Sequence, residues 1–559
     1  RKIKVTLGED EVVEVDPERI RIDDKYIEDR LPSGIPPVTI RSSDYYMNNR
    51  KIFLDFITNL FQPYRDEVLD TNREVSCETL AGDKSGEFSL LTHQSLVRDY
   101  LTLYTPYRGL LLFHGLGAGK TCSSINIAES IAAVSVAEGL KTRKQILIMT
   151  PASLRTNYIS EIKKCGAPIY QKNQYWEPIN VAENPTLGNA IANVFNISPR
   201  FFSKKNNNIA WLVDKTKESN YDSLDNEQRV SLNRQINEMI ASKYQFLNYN
   251  GIQKHHLNDI SNNGSENPFD NKVVVIDETH NFVSRIVNKL RQPKSLSMTL
   301  YRYILSAQNS KFVFLTGTPI INYPNEIAIL FNMLRGYIKT YEFKLKVQSR
   351  TKVDLNSIKR MLKENRNVDY IQYKSNPPTL IITRNPHGFV NKYVGNDQYT
   401  GVSLRDFGML SDTDFARNIK RTLNKNEIDI LSTNIIPFTA LPEKLDQFNN
   451  LFFDNRTGAM QNINLFKRRI MGLTSYFRSA NESLMPKFNL DKDFIVLQIP
   501  MSDYQFQLYE EARSAERDQE KRNNLKRRGQ SETDALFNDS TSTYRIFSRL
   551  FCNFVFPRN

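Results

Sequence analysis

A glycine-rich turn that ends in a lysine and a threonine is the clearest chemical signal in the chain. It reads Gly115-Leu116-Gly117-Ala118-Gly119-Lys120-Thr121 and lies between the apolar run Leu110–Phe113 and a helical pattern. Glycines let a backbone wrap around a phosphate with several N–H groups pointing inward, and the N-terminus of the next helix adds a favourable dipole. Lys120 would reach the β- and γ-phosphates of ATP, and the Thr121 hydroxyl would bind Mg²⁺. His114 replaces the first glycine of the full G-x-x-x-x-G-K-[ST] pattern, but the G-x-G-K-T core is intact.

A pair of acidic residues follows a second apolar run. Asp277-Glu278-Thr279-His280 comes directly after Val273–Ile276. A carboxylate at the end of a buried strand beside a phosphate loop is suited to hold Mg²⁺, and this predicts the role of Asp277. Glu278 would orient and deprotonate the attacking water. The alternatives are a solvated acidic loop, or a zinc site with Glu278 and His280 as ligands, for which no further ligand cluster is visible.

Small hydroxyl residues follow a third apolar run, Phe312–Leu315. The sequence there is Thr316-Gly317-Thr318-Pro319. At the end of a strand, the two threonine hydroxyls could hydrogen-bond the carboxylate loop and transmit the state of the nucleotide. Taken alone, this segment is an ordinary turn.

The order of these motifs resembles that of superfamily 2 helicases, and more narrowly the Swi/Snf-like branch. The order is Gln94, then the phosphate loop, then Thr150-Pro151-Ala152-Ser153-Leu154, then the acidic pair, then the threonine turn. The segments 114–121 and 315–322 are most similar to enzymes of large cytoplasmic DNA viruses, a group that includes the small subunit of the poxvirus early transcription factor. The resemblance covers about residues 88–336, and a weaker one extends over 498–510. It implies a RecA-like α/β fold with a parallel sheet, an ATP and Mg²⁺ requirement, and a viral nucleic-acid motor.

The resemblance also implies roles for residues that chemistry alone would not single out. Gln94 would read the adenine base. Thr150, Ser153 and Arg155 would face the nucleic-acid backbone. His280 would couple hydrolysis to Thr316 and Thr318; the alternative is a structural histidine that caps a helix.

One element of the family pattern is not found in the sequence. The second lobe of these motors carries a Q-x-x-G-R-x-x-R string whose arginines stabilise the transferring phosphoryl group, and no such string occurs in these 559 residues. The resemblance therefore predicts a second RecA-like lobe that is absent or only begun. An arginine finger contributes roughly 10³–10⁵ in rate, so we expect this chain alone to turn over slowly.

Composition changes divide the chain into four regions. We predict an N-terminal extension with an amphipathic helix at 1–87 and a RecA-like ATPase lobe at 88–336. We predict a mostly helical, Asn- and Lys-rich insertion within that lobe, at about 174–270. An accessory, mostly helical region follows at 337–495, with a strand at Thr379–Thr383. Residues 496–559 would begin the second lobe, with a strand near Phe494–Leu497 and a highly charged helix after it.

Charge and composition bound the partners and the compartment. The formal net charge is +13, which favours an acidic partner such as nucleic acid. The four cysteines (Cys77, Cys122, Cys165 and Cys552) are too few and too scattered for a disulfide framework or a zinc site, and this predicts a reducing intracellular environment. No apolar run is long enough to span a membrane. The N-terminus has no signal peptide and no initiator methionine, which suggests a trimmed piece of a longer protein. The resemblance implies a location in the virion and the host cytoplasm.

Three functions remain open on the sequence alone. The first is an ATP-driven translocase or helicase on double-stranded DNA that serves viral early transcription. The second is an RNA helicase. The third is an ATP-binding scaffold that holds partners such as a second transcription-factor subunit or an RNA polymerase, with 337–495 as the docking region. Lys120, Asp277 and Glu278 argue against the scaffold.

Overall fold

The computed structural model divides the chain into two compact units, Arg1–Ala480 and Asn481–Asn559. The residues that it describes are 3–7, 11–15, 21–22, 25–32, 34, 50–69, 91–102, 105–115, 117–137, 144–181, 183, 185–202, 208–347, 353–386, 388–395, 398–404, 410–454, 456–477, 488–527 and 546–557. None of the helices in these ranges is both long enough and apolar enough to cross a lipid bilayer.

Short strands and helices precede the main lobe. They are β1 (Ile3–Leu7), β2 (Glu11–Val15), β3 (Arg21–Ile22), β4 (Lys25–Tyr26), α1 (Ile27–Arg30), α2 (Arg50–Leu60) and α3 (Gln62–Leu69). The apolar spacing after Asp44 predicts one helix, and the structure forms two, which meet at Phe61. Phe53 and Phe61 are buried, and the ring of Phe53 packs edge-on against Tyr107 at 5.5 Å. These aromatic side chains of the two helices therefore belong to the core.

A six-stranded parallel sheet forms the centre of the first unit. Its strands are β5 (Gly109–His114), β6 (Gln145–Met149), β9 (Tyr244–Leu247), β10 (Lys272–Ile276), β11 (Lys311–Leu315) and β18 (Thr474–Phe477), in the order β18-β5-β11-β10-β6-β9. All five pairings are parallel. The apolar runs Leu110–Phe113, Val273–Ile276 and Phe312–Leu315 are β5, β10 and β11, and a fourth apolar run, Ile146–Met149, is β6; these strand predictions are confirmed.

Helices cover both faces of this sheet, which explains the apolar runs. Successive residues of each strand alternate between two cores: Val273 and Val275 lie in one, Val274 and Ile276 in the other. The helices of the lobe are α4 (Thr92–Tyr100), α5 (Lys120–Ala137), α6 (Arg155–Cys165), α9 (Lys254–Ile260), α10 (Thr279–Val287), α11 (Leu296–Ser306) and α12 (Glu326–Arg335). The predicted RecA-like parallel α/β fold is confirmed.

The region predicted as a mostly helical insertion at about 174–270 contains strands as well. Its elements are β7 (Trp176–Asn180), α7 (Pro185–Val194), β8 (Ile209–Val213) and α8 (Asn226–Lys243), and β7 pairs with β8 in an antiparallel hairpin. The prediction was wrong at its C-terminal part, because β9 is an edge strand of the main sheet. The mixed polarity of β9, Tyr-Gln-Phe-Leu, follows from its position, since an edge strand is only partly covered.

The region 337–495 was predicted to be mostly helical, and this was wrong. It forms β12 (Ile338–Val347), α13 (Leu355–Met361), β13 (Val368–Ser375), β14 (Pro378–Arg384), β15 (Phe389–Val394), β16 (Gln398–Leu404), α14 (Asp412–Lys425), β17 (Ile428–Phe438), α15 (Leu445–Phe452) and α16 (Ile463–Ile470) before β18. An antiparallel sheet in the order β13-β14-β12-β17 packs one face on α13 and α14. The strand predicted at Thr379–Thr383 is β14.

The second unit contains α17 (Leu490–Asp493), α18 (Asp503–Arg527) and α19 (Ile546–Asn553). The predicted charged helix is α18, and Glu516 on it accepts a hydrogen bond from the Ser548 hydroxyl of α19 at 2.7 Å. The strand predicted at Phe494–Leu497 was wrong, because this segment has no strand partner among the described residues and its side chains are exposed. An apolar run forms a strand only where another strand pairs with it.

Candidate ATP-binding and hydrolysis site

The phosphate loop lies where the sequence places it, between the C-terminal end of β5 and the N-terminus of α5. Gly117 and Gly119 have φ angles of 74° and 67°, which glycine adopts without the steric penalty of a side chain. A Cβ at position 119 would also collide with the side-chain amide of Gln94. The loop is therefore shaped by its glycines; Leu116 lies outside the described residues.

Lys120 is the first residue of α5 and its ammonium group turns back onto the loop. Its Nζ donates to the carbonyl oxygens of His114 at 3.1 Å and Gly115 at 3.0 Å. Partial burial lowers the pKa of Lys120, while the charges of Glu278 and Asp277 oppose that shift. The ammonium thus lies in the field of both carboxylates, as it must if all three groups act on one phosphate.

The Asp277 carboxylate lies at the end of β10 and is largely buried. Its Oδ1 accepts a hydrogen bond from the backbone N–H of Glu278 at 3.0 Å. Burial raises the pKa of Asp277 to about 6, and the neighbouring Glu278 charge adds to the rise. A buried carboxylate whose charged form is disfavoured would be stabilised by a cation, and its oxygen, with the Thr121 hydroxyl, is the donor type that Mg²⁺ prefers.

Glu278 lies at the N-terminus of α10 in a left-handed conformation, with φ at 47°. A glutamate rarely adopts this region, and strained backbone of this kind is found at functional sites. The Glu278 side chain is 38% exposed, so water can reach it. Its Oε2 lies 3.4 Å from Nδ1 of His280. These features suit a group that receives a proton from water.

His280 connects the acidic loop to the loop after β11. Its Nδ1 lies 2.8 Å from the Thr316 hydroxyl and 3.5 Å from the Thr318 hydroxyl. The Thr316 hydroxyl in turn accepts a hydrogen bond from the backbone N–H of Thr318 at 3.0 Å. The structure therefore brings together the three residues to which the resemblance assigned coupling.

Helix α4 packs its polar face against the phosphate loop. His93 Nε2 lies 2.8 Å from the Ala118 carbonyl oxygen, and the Gln94 side-chain amide donates to the Gly119 carbonyl oxygen at 3.4 Å. Gln94 is buried, and its Oε1 accepts a hydrogen bond from the backbone N–H of Leu91 at 3.0 Å. Gln94 thus supports the loop in this structure, and adenine recognition by Gln94 stays a prediction.

The three residues predicted to face nucleic acid lie in different environments. Ser153 and Arg155 are exposed on the turn after β6 and at the start of α6. Arg155 also lies over the Phe246 ring, 5.2 Å from its centroid. Thr150 is fully buried, so the prediction that it faces a nucleic-acid backbone does not hold in this structure. The first residue after a central strand is covered by its neighbours, which the resemblance did not reveal.

Two contributions to the site were missed in the sequence analysis. The Tyr249 hydroxyl donates to the carbonyl oxygens of Asp277 and Glu278, both at 3.1 Å, and so fixes the backbone of this acidic loop after β10. A lone tyrosine gives no sequence signal. Cys122, next to Thr121, forms a disulfide with Cys165 of α6. The sequence analysis expected cysteines too scattered for a disulfide framework, and this one disulfide weakens the argument from cysteine content for a reducing environment.

Residues 92–367 match the sequence model of the family described as SNF2-related domain. The chain contains an SNF2-related domain. This is an ATPase domain of the helicase class, and the phosphate loop, the acidic loop and the threonine turn all lie within the matched residues.

Proteins of large DNA viruses are similar to this chain. A protein of Acanthamoeba polyphaga mimivirus, provisionally named an ATP-dependent RNA helicase, is 26% identical over 43% of this chain and 32% of its own length. Another mimivirus protein of the same provisional name is 21% identical over 93% of this chain and 42% of its own length. An African swine fever virus protein named a termination factor NPH-I homolog is 26% identical over 58% of this chain and 36% of its own length.

Solved structures are also similar to this chain. The Sulfolobus solfataricus SWI2/SNF2 ATPase core in complex with double-stranded DNA has 14% identity and a TM-score of 0.20 over 42% of this chain and 33% of that chain. This chain spans a third or less of the length of the first three viral relatives.

Proposed function

We propose that this chain is the ATP-binding part of a motor that moves along double-stranded DNA in viral transcription. One observation carries the proposal: Lys120, Asp277 and Glu278 lie around the phosphate loop at the C-terminal ends of the parallel strands. His280 links them to the threonine turn. Such an arrangement binds a nucleotide, and it also ties its hydrolysis to a loop outside the nucleotide site.

The residues of the site divide the chemistry among them. The loop N–H groups and Lys120 would bind the phosphates, and Thr121 and Asp277 would hold Mg²⁺, which when bound neutralises charge on the phosphates. Glu278 would orient the attacking water and take its proton. Because phosphoryl transfer depends chiefly on positioning and charge neutralisation, these groups account for the ATP-binding half of a catalytic site.

The nucleic-acid partner is supported by charge and by exposed groups. The chain carries a net charge of +13, and Ser153 and Arg155 are exposed beside β6. The name of the African swine fever virus relative supports a role in transcription, while the names of the mimivirus relatives favour an RNA helicase as the second candidate. A place in early transcription and in the virion belongs to this proposal.

The deciding experiment measures steady-state ATP hydrolysis of the full-length protein with double-stranded DNA, single-stranded DNA or RNA. Lys120→Ala is the control that removes phosphate binding, and Glu278→Gln is a second control that should bind ATP without hydrolysing it. We expect stimulation by duplex DNA that both variants abolish. Stimulation by RNA alone would support the RNA helicase. Retained ATP binding with no hydrolysis under any condition would show a scaffold instead.

A further inference from the structure

A cavity of about 340 Å³ lies at the N-terminal ends of the parallel strands, whereas the phosphate loop lies at their C-terminal ends. It is lined by Lys144, just before β6, by Lys311, the first residue of β11, and by Arg108, just before β5. Lys339 and Arg384 of the antiparallel sheet line it from the other side. The length of the strands separates their two ends by about 17–20 Å, so this cavity is distinct from the proposed ATP site.

Cationic side chains dominate the lining of this cavity. Among the described residues that line it, six are cationic and one, Asp369, is acidic; the cations are Arg108, Lys144, Lys311, Arg335, Lys339 and Arg384. Water-filled surface grooves tolerate such an excess, but buried groups of like charge repel each other strongly. A lining of this kind is stabilised when an anion enters it.

Two of these cations, Lys311 and Arg108, are solvated by main-chain carbonyls. Lys311 Nζ donates to the carbonyl oxygens of Thr105 at 2.6 Å and Tyr107 at 2.7 Å. Arg108 donates to carbonyl oxygens at the ends of α11 and α12, and its guanidinium lies 4.2 Å from the centroid of the Phe312 ring. Carbonyl dipoles and an aromatic face offset part of the desolvation of a cation, but they carry no net charge.

Burial is the main cause that disfavours the charged forms of three cations of this cavity, while two others, Lys339 and Arg384, are paired with Asp412 of α14. Burial lowers the pKa of Lys311 to about 7, and the nearby charge of Lys144 lowers it further. Burial alone lowers the pKa of Lys144 to about 8. Burial also lowers the pKa of Arg108 to about 9, although the charge of Asp270 acts in the opposite direction.

We propose that this cavity binds a small phosphorylated anion, of mononucleotide size or smaller. Phosphate oxygens accept hydrogen bonds from several cations at once, and guanidinium groups such as that of Arg335 present paired donors to them. The volume is at the lower end of the range of small-molecule sites. The rings of Tyr107, Tyr337 and Phe389 also line the cavity and could hold a planar base. This proposal does not depend on the motor function proposed above.

The test is a calorimetric titration of the full chain carrying Lys120→Ala, which removes phosphate binding at the ATP site. Inorganic pyrophosphate is one titrant and adenosine monophosphate is the other, so that the phosphate and the base are tested separately. We expect one site to remain. Gln308→Glu, a change of the same size that adds a negative charge to the lining, should weaken binding about tenfold or more, and so should Lys144→Gln.

Lys272→Gln is the matched control, because Lys272 begins the neighbouring strand β10 at the same sheet edge but does not line the cavity. It should leave the affinity unchanged. Thermal unfolding of each variant shows that it is folded. Binding that disappears with Lys120→Ala, that is unaffected by Gln308→Glu, or that is absent for both titrants would overturn the proposal.

Proton uptake supplies a second readout. The charged groups of the cavity around Lys311 are the cations of Lys144, Arg108, Lys339, Arg335 and Arg384 and the carboxylates of Asp369, Asp270 and Asp412. A bound anion favours the charged form of Lys311, so its pKa must rise and the protein must take up protons near neutral pH. The measured heat at pH 7.5 should therefore depend on the ionisation enthalpy of the buffer, and it should depend on it less in Lys144→Gln. No buffer dependence would contradict binding beside these lysines.

Discussion

At the scale of single residues, the proposed function makes the His280–Thr316 contact the connection between the nucleotide and the rest of the lobe. The 2.8 Å separation of His280 Nδ1 and the Thr316 hydroxyl joins the loop after β10 to the loop after β11. Neither residue touches the phosphate loop through a hydrogen bond that the structure shows among its described residues. We therefore assign them a positioning role and expect their loss to affect coupling more than ATP binding.

The first prediction concerns this pair. His280→Ala should leave ATP affinity within about twofold and lower nucleic-acid-stimulated hydrolysis about tenfold or more, because the response to nucleic acid no longer reaches Glu278. Thr316→Val should act alike, whereas Thr316→Ser, which keeps the hydroxyl, should be close to the unsubstituted protein. The double variant should be no worse than either single one if the two act as a unit. Equal losses of basal and stimulated hydrolysis would argue for a merely structural contact.

The second prediction concerns Arg155, which is exposed at the start of α6. If it contacts a phosphate, Arg155→Ala should weaken DNA binding equally for all sequences. The slope of log affinity against log salt should become shallower by about one. The matched control is Arg234→Ala, an exposed arginine on α8 in the inserted region. An unchanged salt slope in Arg155→Ala would remove this residue from the nucleic-acid interface.

The sequence revealed those site residues whose chemical type recurs at a fixed distance from a strand. Lys120 and Asp277 each follow an apolar strand, so their types and positions were sufficient to place them. Tyr249 acts through its hydroxyl on two backbone carbonyls, and any tyrosine in a loop has the same appearance in a sequence. Thr150 shows the opposite error, since its motif was recognised but its full burial depends on the neighbours of β6.

At the scale of elements, β18 is the strand whose position the sequence did not reveal. It lies more than 350 residues after β5, yet it pairs with β5 in parallel, and its Phe477 carbonyl oxygen accepts a hydrogen bond from the Gly115 N–H at 2.9 Å. The His114 ring accepts or donates one hydrogen bond with the Ser475 hydroxyl, also at 2.9 Å. His114 and Gly115, at the start of the phosphate loop, are therefore held by a strand that follows the antiparallel sheet in the sequence.

The third prediction tests this support. Phe477 stacks on His93 with ring centroids 4.1 Å apart, and His93 in turn contacts the Ala118 carbonyl oxygen of the phosphate loop. Phe477→Ala should weaken ATP binding about three- to tenfold, because loss of the buried ring surface, about 1 kcal/mol, loosens His93 and the loop. Tyr476→Ala is the control: Tyr476 is 65% exposed and packs against Phe113 instead. Equal effects of the two variants would contradict the role of the stack.

The elements that the sequence predicted and those that it did not differ in burial. Strands covered on both faces read as continuous apolar runs, and all four were found. β12 alternates polar and apolar residues, Lys-Thr-Tyr-Glu-Phe-Lys-Leu-Lys, which is the pattern of a strand with one open face. That pattern was present in the sequence and was overlooked. β18, Thr-Ser-Tyr-Phe, is a short edge strand with no such pattern, and only its pairing with β5 defines it.

At the scale of the whole molecule, the sequence holds the groups to which the proposed function assigns ATP binding, but no Q-x-x-G-R-x-x-R string. ATP binding and phosphoryl transfer make different demands on charge. Lys120, the loop N–H groups and Mg²⁺ suffice to hold the ground state, whereas the transition state gains most from an additional arginine. Binding and turnover should therefore be separable in this chain.

The last prediction follows from that separation. The 559-residue chain should bind ATP with an affinity similar to that of a longer protein that carries the arginine string. It should nevertheless hydrolyse ATP more slowly than that protein, by a factor of at least about 10³, even with saturating duplex DNA. Equilibrium ATP binding and single-turnover hydrolysis measure the two quantities on the same preparations. Lys120→Ala should lose binding in both proteins, which shows that the same site is being observed. Rapid turnover by the 559 residues would mean that one of their own arginines reaches the phosphates, and Arg→Lys substitutions across the chain would then locate it.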